Sequence, residues 1–378
     1  MTVPYLSVSR RLRETPFTPR VEEAKVKSYT VYNHMLLPTV FHTLEDDYHH
    51  LKSQVQIWDV SCQRQVEIQG PDANFLLRKL TPRDLSKTPL NRCTYLPITD
   101  PNGRMLNDSV LIQVQEDCYW LSTSDYDINL WISALAIGAN LDVAVKEADV
   151  YPVAIQGPKS LSLMEKAFGS HIRDLDYFDI DKFDFANTNV LVSRTGYSGQ
   201  LGYEIYAKGS QLALTIWDTL FECGAHLNVR VGCPNLIERI EAGLLSYGND
   251  MTRKNTPIEC GFGWMCTPAT NFDYLGLSAL HAEQQNGPCR MIRYLSIDGP
   301  TVPTCSQPWP VFIKDNQVGH VSSAAYSPTA GTNVAIGMIA SNFWHDGTSV
   351  QVKMPHGPYE AEVFVCPQNK RNTRKANT

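Results

Sequence analysis

No stretch of the 378-residue chain approaches the roughly 18 consecutive apolar residues of a membrane span. The N-terminus has no apolar run of a secretory signal, so a cytoplasmic chain without a membrane partner is expected. An excess of basic charge is missing too: the net charge is −6, from 33 Lys and Arg against 39 Asp and Glu. That balance gives no electrostatic reason to expect a nucleic-acid partner. No C-x-x-C pair occurs among the 10 cysteines, which are read as buried thiols, and the 10 histidines contain no H-E-x-x-H, so no metal is expected. G-x-G-x-x-G, the Walker sequence and G-x-S-x-G are all missing, which removes the usual signals of dinucleotide redox, phosphoryl transfer and the hydrolase elbow.

What is present is concentrated in Arg194-Thr195-Gly196-Tyr197-Ser198-Gly199-Gln200-Leu201-Gly202-Tyr203-Glu204-Ile205-Tyr206. Three glycines allow close backbone approach, and three tyrosines offer flat faces with polar tips. In the strand expected here, Glu204 is placed on the face opposite both flanking tyrosines. The segment reads equally well as the wall of a pocket for a flat heterocycle, with Glu204 accepting from ring N–H groups, and as a hairpin with a solvated Glu204.

The clearest internal signal is a repeat. Val66-Glu67-Ile68-Gln69-Gly70-Pro71-Asp72 recurs as Val153-Ala154-Ile155-Gln156-Gly157-Pro158-Lys159. Each copy reads as a strand ending in Gly-Pro and a helix starting at or after the proline, where a missing N–H costs least. Asp100-Pro101-Asn102-Gly103 is a turn between strands, and Asn107-Asp108 lies on the returning strand. Val55 to Val60 alternates as a strand should, and a helix is expected over Leu236 to Leu245. Tyr29 to Phe41, with Tyr32 and His34, has no clean period; it could line a site or be a buried connector. After about residue 286 the helical period disappears and short strands between turns suggest a barrel or jelly roll. Antiparallel strands around Gly-Pro helices suggest ferredoxin-like sheets with helices on one face.

Ile155-Gln156-Gly157-Pro158, the Arg194 to Ile205 block, Arg239-Ile240-Glu241-Ala242-Gly243 and Ser327-Pro328-Thr329 followed by Gly331 together resemble the folate-dependent aminomethyltransferase superfamily of the glycine-cleavage system. Within it, Tyr32 to Pro38, Val55 to Val60, Gly232-Cys233-Pro234-Asn235 and Leu244 to Asp250 are similar to the dimethylsulfoniopropionate demethylase branch. The resemblance implies an α+β fold: a three-domain ring of two intertwined ferredoxin-like α/β domains and a C-terminal all-β barrel or jelly-roll domain. The implied boundaries are 1–60 with 152–243, 61–151 with 244–285, and 286–378. It also implies tetrahydrofolate as cofactor, a small-molecule methyl donor as partner, and leaves room for a homodimer. Carried over, Glu204, Tyr197, Arg239 and Tyr95 bind folate, Asp108 and Tyr95 act at the reacting atoms, and Ser122, Tyr32, His34 and Trp58 contact substrate.

Two departures stand out. Asn107-Asp108 occupies the place of an Asp-Asp pair in aminomethyltransferases, which fits a demethylase. Tyr197 and Gly199 stand where the demethylase branch has Trp and Lys, which opens the identity of the methyl donor.

Overall fold

The computed structural model describes residues 9–267 and 273–367. Three strand systems and a short hairpin carry the architecture. The first sheet runs, in spatial order, Ile180–Phe185, Thr188–Ser193, Gly202–Lys208, Val150–Gln156, Val55–Asp59 and Val229–Gly232, antiparallel except for its last pair. The second, antiparallel throughout, runs Thr94–Thr99, Met105–Gln115, Cys118–Ser122, Gln65–Gln69 and Ala144–Glu147. The chain lays down Val55–Asp59, builds the second sheet, and then returns to finish the first. The C-terminal strands, from Arg290–Ile297 to Gly357–Phe364, close into a six-stranded barrel rather than a jelly roll.

The repeat is built as its turn chemistry requires. Strands Gln65–Gln69 and Val150–Gln156 lead through Gly-Pro into helices Ala73–Leu80 and Ser160–Phe168. Gly70 and Gly157 sit at φ +142° and +123°, and a Cβ on either would lie 2.3 Å from a backbone oxygen, of Asp142 and Gln54 respectively. Only glycine fits there. Leu76, Leu77 and Leu80 bury their side chains beneath the second sheet, and Leu163 and Met164 do so beneath the first.

Two expectations are corrected. Tyr29 to Phe41 is neither connector nor irregular: Ser28–Tyr32 pairs with Met35–Val40 across a two-residue turn whose Asn33 and His34 have φ +48° and +62°. Val55–Asp59 forms the expected strand and is buried on both faces, with Val55 and Ile57 in one apolar cluster and Trp58 in another. The helix starting at Leu236 ends at Ala242 instead of Leu245, with Gly243 in the left-handed region, and its Arg239 and Glu241 are buried.

Candidate active site between two sheets

Strand alternation places Asp108, Val110 and Ile112 on one face of the second sheet, and Glu204 and Tyr206 on one face of the first. Ile112 and Tyr206 share a buried cluster with Cys93, Trp120, Val150 and Ile180, the Trp120 and Tyr206 rings being 6.3 Å apart. Both carboxylates therefore look into the layer between the sheets, above that apolar floor. Tyr203 alone lies opposite Glu204, in the core of the first sheet, while Tyr206 shares its face. The expectation that both tyrosines oppose Glu204 fails because residues two apart in a strand point the same way.

Glu204 is 8% exposed, and its carboxylate is held by hydroxyls: Thr195 donates to Oε2, and Tyr206 also contributes. Burial raises its pKa, and these two hydroxyls pull it back. The glycines of the segment serve the fold. A Cβ on Gly196 or Gly202 would lie 2.1 or 2.2 Å from Gln156 Nε2. That amide donates to the Thr195 carbonyl at 3.2 Å, and its oxygen accepts from the Ser198 hydroxyl at 2.7 Å. Buried Glu238 accepts from the Gly199 N–H at 3.0 Å and from the Gln200 amide at 2.6 Å. The loop before Glu204 is thus fixed from two sides, and the glycines make room for Gln156.

Across the gap, Asp108 Oδ2 accepts from the Tyr95 hydroxyl at 2.8 Å, while Oδ1 is buried with no partner. Burial pushes its pKa up to about 6, against the lowering effect of the Ser124 and Tyr95 hydroxyls. Tyr32, Tyr95, Tyr197 and Tyr247 all feel the Asp108 charge, which helps burial raise their own pKa values. Tyr197 donates to the Leu245 carbonyl at 2.8 Å, and the Tyr95 ring meets Phe262 edge-on at 5.5 Å. Tyr32, Tyr95 and Tyr197 thus gather around Asp108, and Glu204 faces the same layer from the other sheet.

The remaining expected residues lie elsewhere or are otherwise engaged. Arg239 is spent on Asp250 (2.8 Å) and on the Ser323 hydroxyl of the barrel (2.6 Å), although Tyr197 also feels its charge. Ser122 accepts from the Gln65 amide at 2.9 Å within the second sheet. Trp58 is core: it is fully buried against Leu51, Val60 and Ala154, and its N–H is satisfied by Gln56 at 2.9 Å, leaving nothing to offer a substrate. His34 stands exposed at the tip of its hairpin. Ser327 and Thr329, from the barrel motif, tie the barrel to the rest by bonding Glu241 and Tyr48, both at 2.5 Å. The sequence singled out none of Asn33, Ser124, Asp125 and Tyr126 as a site residue: Asn33 lies within the Tyr32 to Pro38 run, but its bonds to Ser124 and Asp125 form only when the hairpin turn meets that loop. Cavities of about 480 and 270 Å³ open on other parts of the surface and include none of these residues. Among the described residues, no group of three or more His, Cys, Asp or Glu is placed to hold a metal ion.

A folate fits this set of acceptors on structural grounds. Two buried carboxylates face one layer, and Glu204 is held by hydroxyls while Asp108 keeps an unpartnered oxygen. A buried carboxylate such as Glu204 suits the paired N–H donors of a pterin edge.

Comparisons with known proteins follow the same line. Residues 17–270 match the GCVT N-terminal domain, and residues 290–368 match the glycine cleavage T-protein C-terminal barrel domain. The chain is 50% identical over 349 residues to a dimethylsulfoniopropionate demethylase from Ruegeria pomeroyi, covering 92% of this chain and 95% of that protein. It is 30% identical over 342 residues to an aminomethyltransferase from Bacillus subtilis, covering 89% and 93%. A crystal structure of aminomethyltransferase T from Bartonella henselae superposes with a TM-score of 0.83 at 21% identity, over 94% of this chain and 98% of that one.

Proposed function

This chain belongs to the glycine cleavage T-protein family, and from that premise we propose that it is a tetrahydrofolate-dependent demethylase that moves a methyl group from dimethylsulfoniopropionate to N5 of tetrahydrofolate. The products are 5-methyltetrahydrofolate and the demethylated thioether acid. The 50% identity to a protein of that name supports the substrate. The observation that carries the chemistry is Asp108: a carboxylate with one unpartnered oxygen, among tyrosines, with its other oxygen fixed by Tyr95. An anionic, ring-lined spot suits an onium cation, which aromatic faces attract.

Bound tetrahydrofolate supplies the nucleophilic nitrogen. Glu204 accepts from the N–H edge of the pterin, in a setting where burial strengthens the bond. Asp108, with its proton affinity raised towards neutrality, takes up at Oδ1 the proton that methyl transfer releases, while Tyr95 keeps the carboxylate from turning. The tyrosines hold the donor in line and keep water out, which is most of what displacement at a methyl carbon requires. No helix among the described residues is long and apolar enough to cross a membrane, and we place the enzyme in the cytoplasm.

Purified protein incubated with tetrahydrofolate and dimethylsulfoniopropionate is expected to form 5-methyltetrahydrofolate and methylmercaptopropionate in equal amounts. Consumption of glycine betaine or dimethylglycine instead, with the sulfonium untouched, would overturn the substrate while leaving the folate reading in place.

A further inference from the structure

The loop Ser124-Asp125-Tyr126 is held by two asparagines from different elements. Asn33, at the hairpin turn, donates its backbone N–H to Asp125 Oδ1 at 2.9 Å and its side-chain amide to the Ser124 and Cys62 carbonyls at 2.8 and 2.9 Å. Asn107, on the strand that carries Asp108, donates to the Asp125 carbonyl at 2.8 Å and accepts from the Ser124 N–H at 3.0 Å. Both are almost completely buried.

That clamping sustains an unfavourable backbone. Tyr126 has φ +80°, a region that costs a bulky side chain energy and persists only where the surroundings impose it. The result is a tyrosine that is 59% exposed, its ring set edge-on to buried Tyr247 at 5.7 Å and 82°. The Tyr247 hydroxyl donates at 2.9 Å to the carbonyl of Met105 on the strand that carries Asp108, and the Asp108 N–H donates to the Ser124 hydroxyl at 3.5 Å, so the loop lies against the Asp108 strand. Asp125 adds a second carboxylate, whose charge Tyr32 feels together with that of Asp108. The neighbouring Arg64 is taken by Asp127 and Glu147.

We infer that this clamped loop is the donor-specificity element of the site: Asn33 and Asn107 are positioning residues, and Tyr126 and Asp125 present a ring and a carboxylate to the cationic head of the methyl donor. The inference rests on the demethylase reading above. An amide suits position 107 because it donates to the Asp125 carbonyl and accepts from the Ser124 N–H, whereas an ionised carboxylate there could only accept.

The test uses the full-length protein and four forms: wild type, Tyr126→Leu, Tyr126→Phe and Asn33→Gly. Glycine tolerates the left-handed turn, so Asn33→Gly removes the side-chain clamp while the hairpin and the backbone bond to Asp125 remain. Binding of dimethylsulfoniopropionate and of tetrahydrofolate is measured separately by calorimetry, alongside steady-state kinetics. Tyr126→Leu and Asn33→Gly are expected to weaken donor binding and raise the donor KM about tenfold, the scale of one cation–ring contact. Tetrahydrofolate affinity and kcat should change little, and Tyr126→Phe, which keeps the ring, should behave as wild type. Wild-type donor affinity in Tyr126→Leu, or an equal loss of folate and donor binding in both variants, would overturn the inference alone. A wild-type protein that binds folate but neither binds nor demethylates any onium donor would overturn the demethylase reading and this inference with it.

Discussion

The two walls of the site are built on the same plan and differ in how completely they are satisfied. On the Glu204 wall, the carboxylate has its hydroxyl donors, Gln156 is enclosed by backbone, and Glu238 closes the loop from behind. On the Asp108 wall, a carboxylate oxygen and Asn33 Oδ1 are buried without partners, and Tyr126 holds a left-handed backbone. Buried acceptors without donors cost free energy that a satisfied wall does not incur. A wall made to hold a ligand edge can be complete before the ligand arrives. On the proposed reading, the Asp108 wall receives a proton or a cation and has to leave a valence open for it, and the stability given up there serves that task.

Asp108→Asn should break this contrast most sharply. If Oδ1 takes the transferred proton, turnover should fall about 10²–10⁴-fold, the usual range for losing a general base. The same variant should be more stable than wild type at neutral pH. The Asp108 pKa is raised from 3.8 in the folded state, so as pH increases the unfolded chain ionises first and the folded protein loses stability through the window up to about 6. Removing the charge recovers about 1–3 kcal/mol at pH 7, from a pKa displacement of about two units. Thermal melts of both proteins at pH 4.5 and pH 7.5 measure this: pH 4.5 lies near the start of the window, so the variant should gain clearly more at the higher pH. A variant that loses stability at both would mean that Asp108 is a structural carboxylate.

Glu204→Ala tests the completed wall and should act on binding rather than on the rate at saturation. Loss of a buried, charged acceptor removes about 1.5–3 kcal/mol, so the tetrahydrofolate Kd should rise roughly tenfold to a hundredfold, with kcat changed far less. Normal folate binding in this variant, by fluorescence or calorimetry, would remove Glu204 from the pterin.

The same contrast explains what could be read from the sequence. The Gly-Pro turns at 70–71 and 157–158 were legible because their cause is local: only glycine fits beside the Asp142 and Gln54 carbonyls. The all-β character of the C-terminal region and the α+β class were legible for a similar reason, as turn spacing and Gly-Pro helices leave a mark along the chain; closure into a barrel rather than a jelly roll depends on which strands pair, and only the structure shows it. Glu204 stood out within a motif, although the meaning of the motif changed, since its glycines accommodate Gln156. The Asp108 wall was harder to see. Asn33, Asn107 and Tyr126 lie far apart in sequence and become one object only when the hairpin turn docks on the loop after Ser122. Trp58 misled in the opposite direction, because an aromatic residue in a motif looks the same whether it faces a ligand or, as here, the core.

Tyr95→Phe should produce the smallest effect and the most diagnostic one. The Tyr95 hydroxyl lowers the pKa of Asp108, while burial raises it to about 6; without the hydroxyl, the carboxyl holds its proton to higher pH. The acid limb of the kcat/KM profile should therefore move upward, by under about one unit for a single lost hydrogen bond. At pH 6.5 the variant should be a few-fold slower than wild type, and by pH 8, where Asp108 is ionised in both, most of the difference should vanish. A purely structural role for Tyr95, through its contact with Phe262, would lower activity by the same factor at every pH. The shape of the profile thus separates a tyrosine that tunes a proton acceptor from one that only packs beside it, and with it the open wall from the completed one.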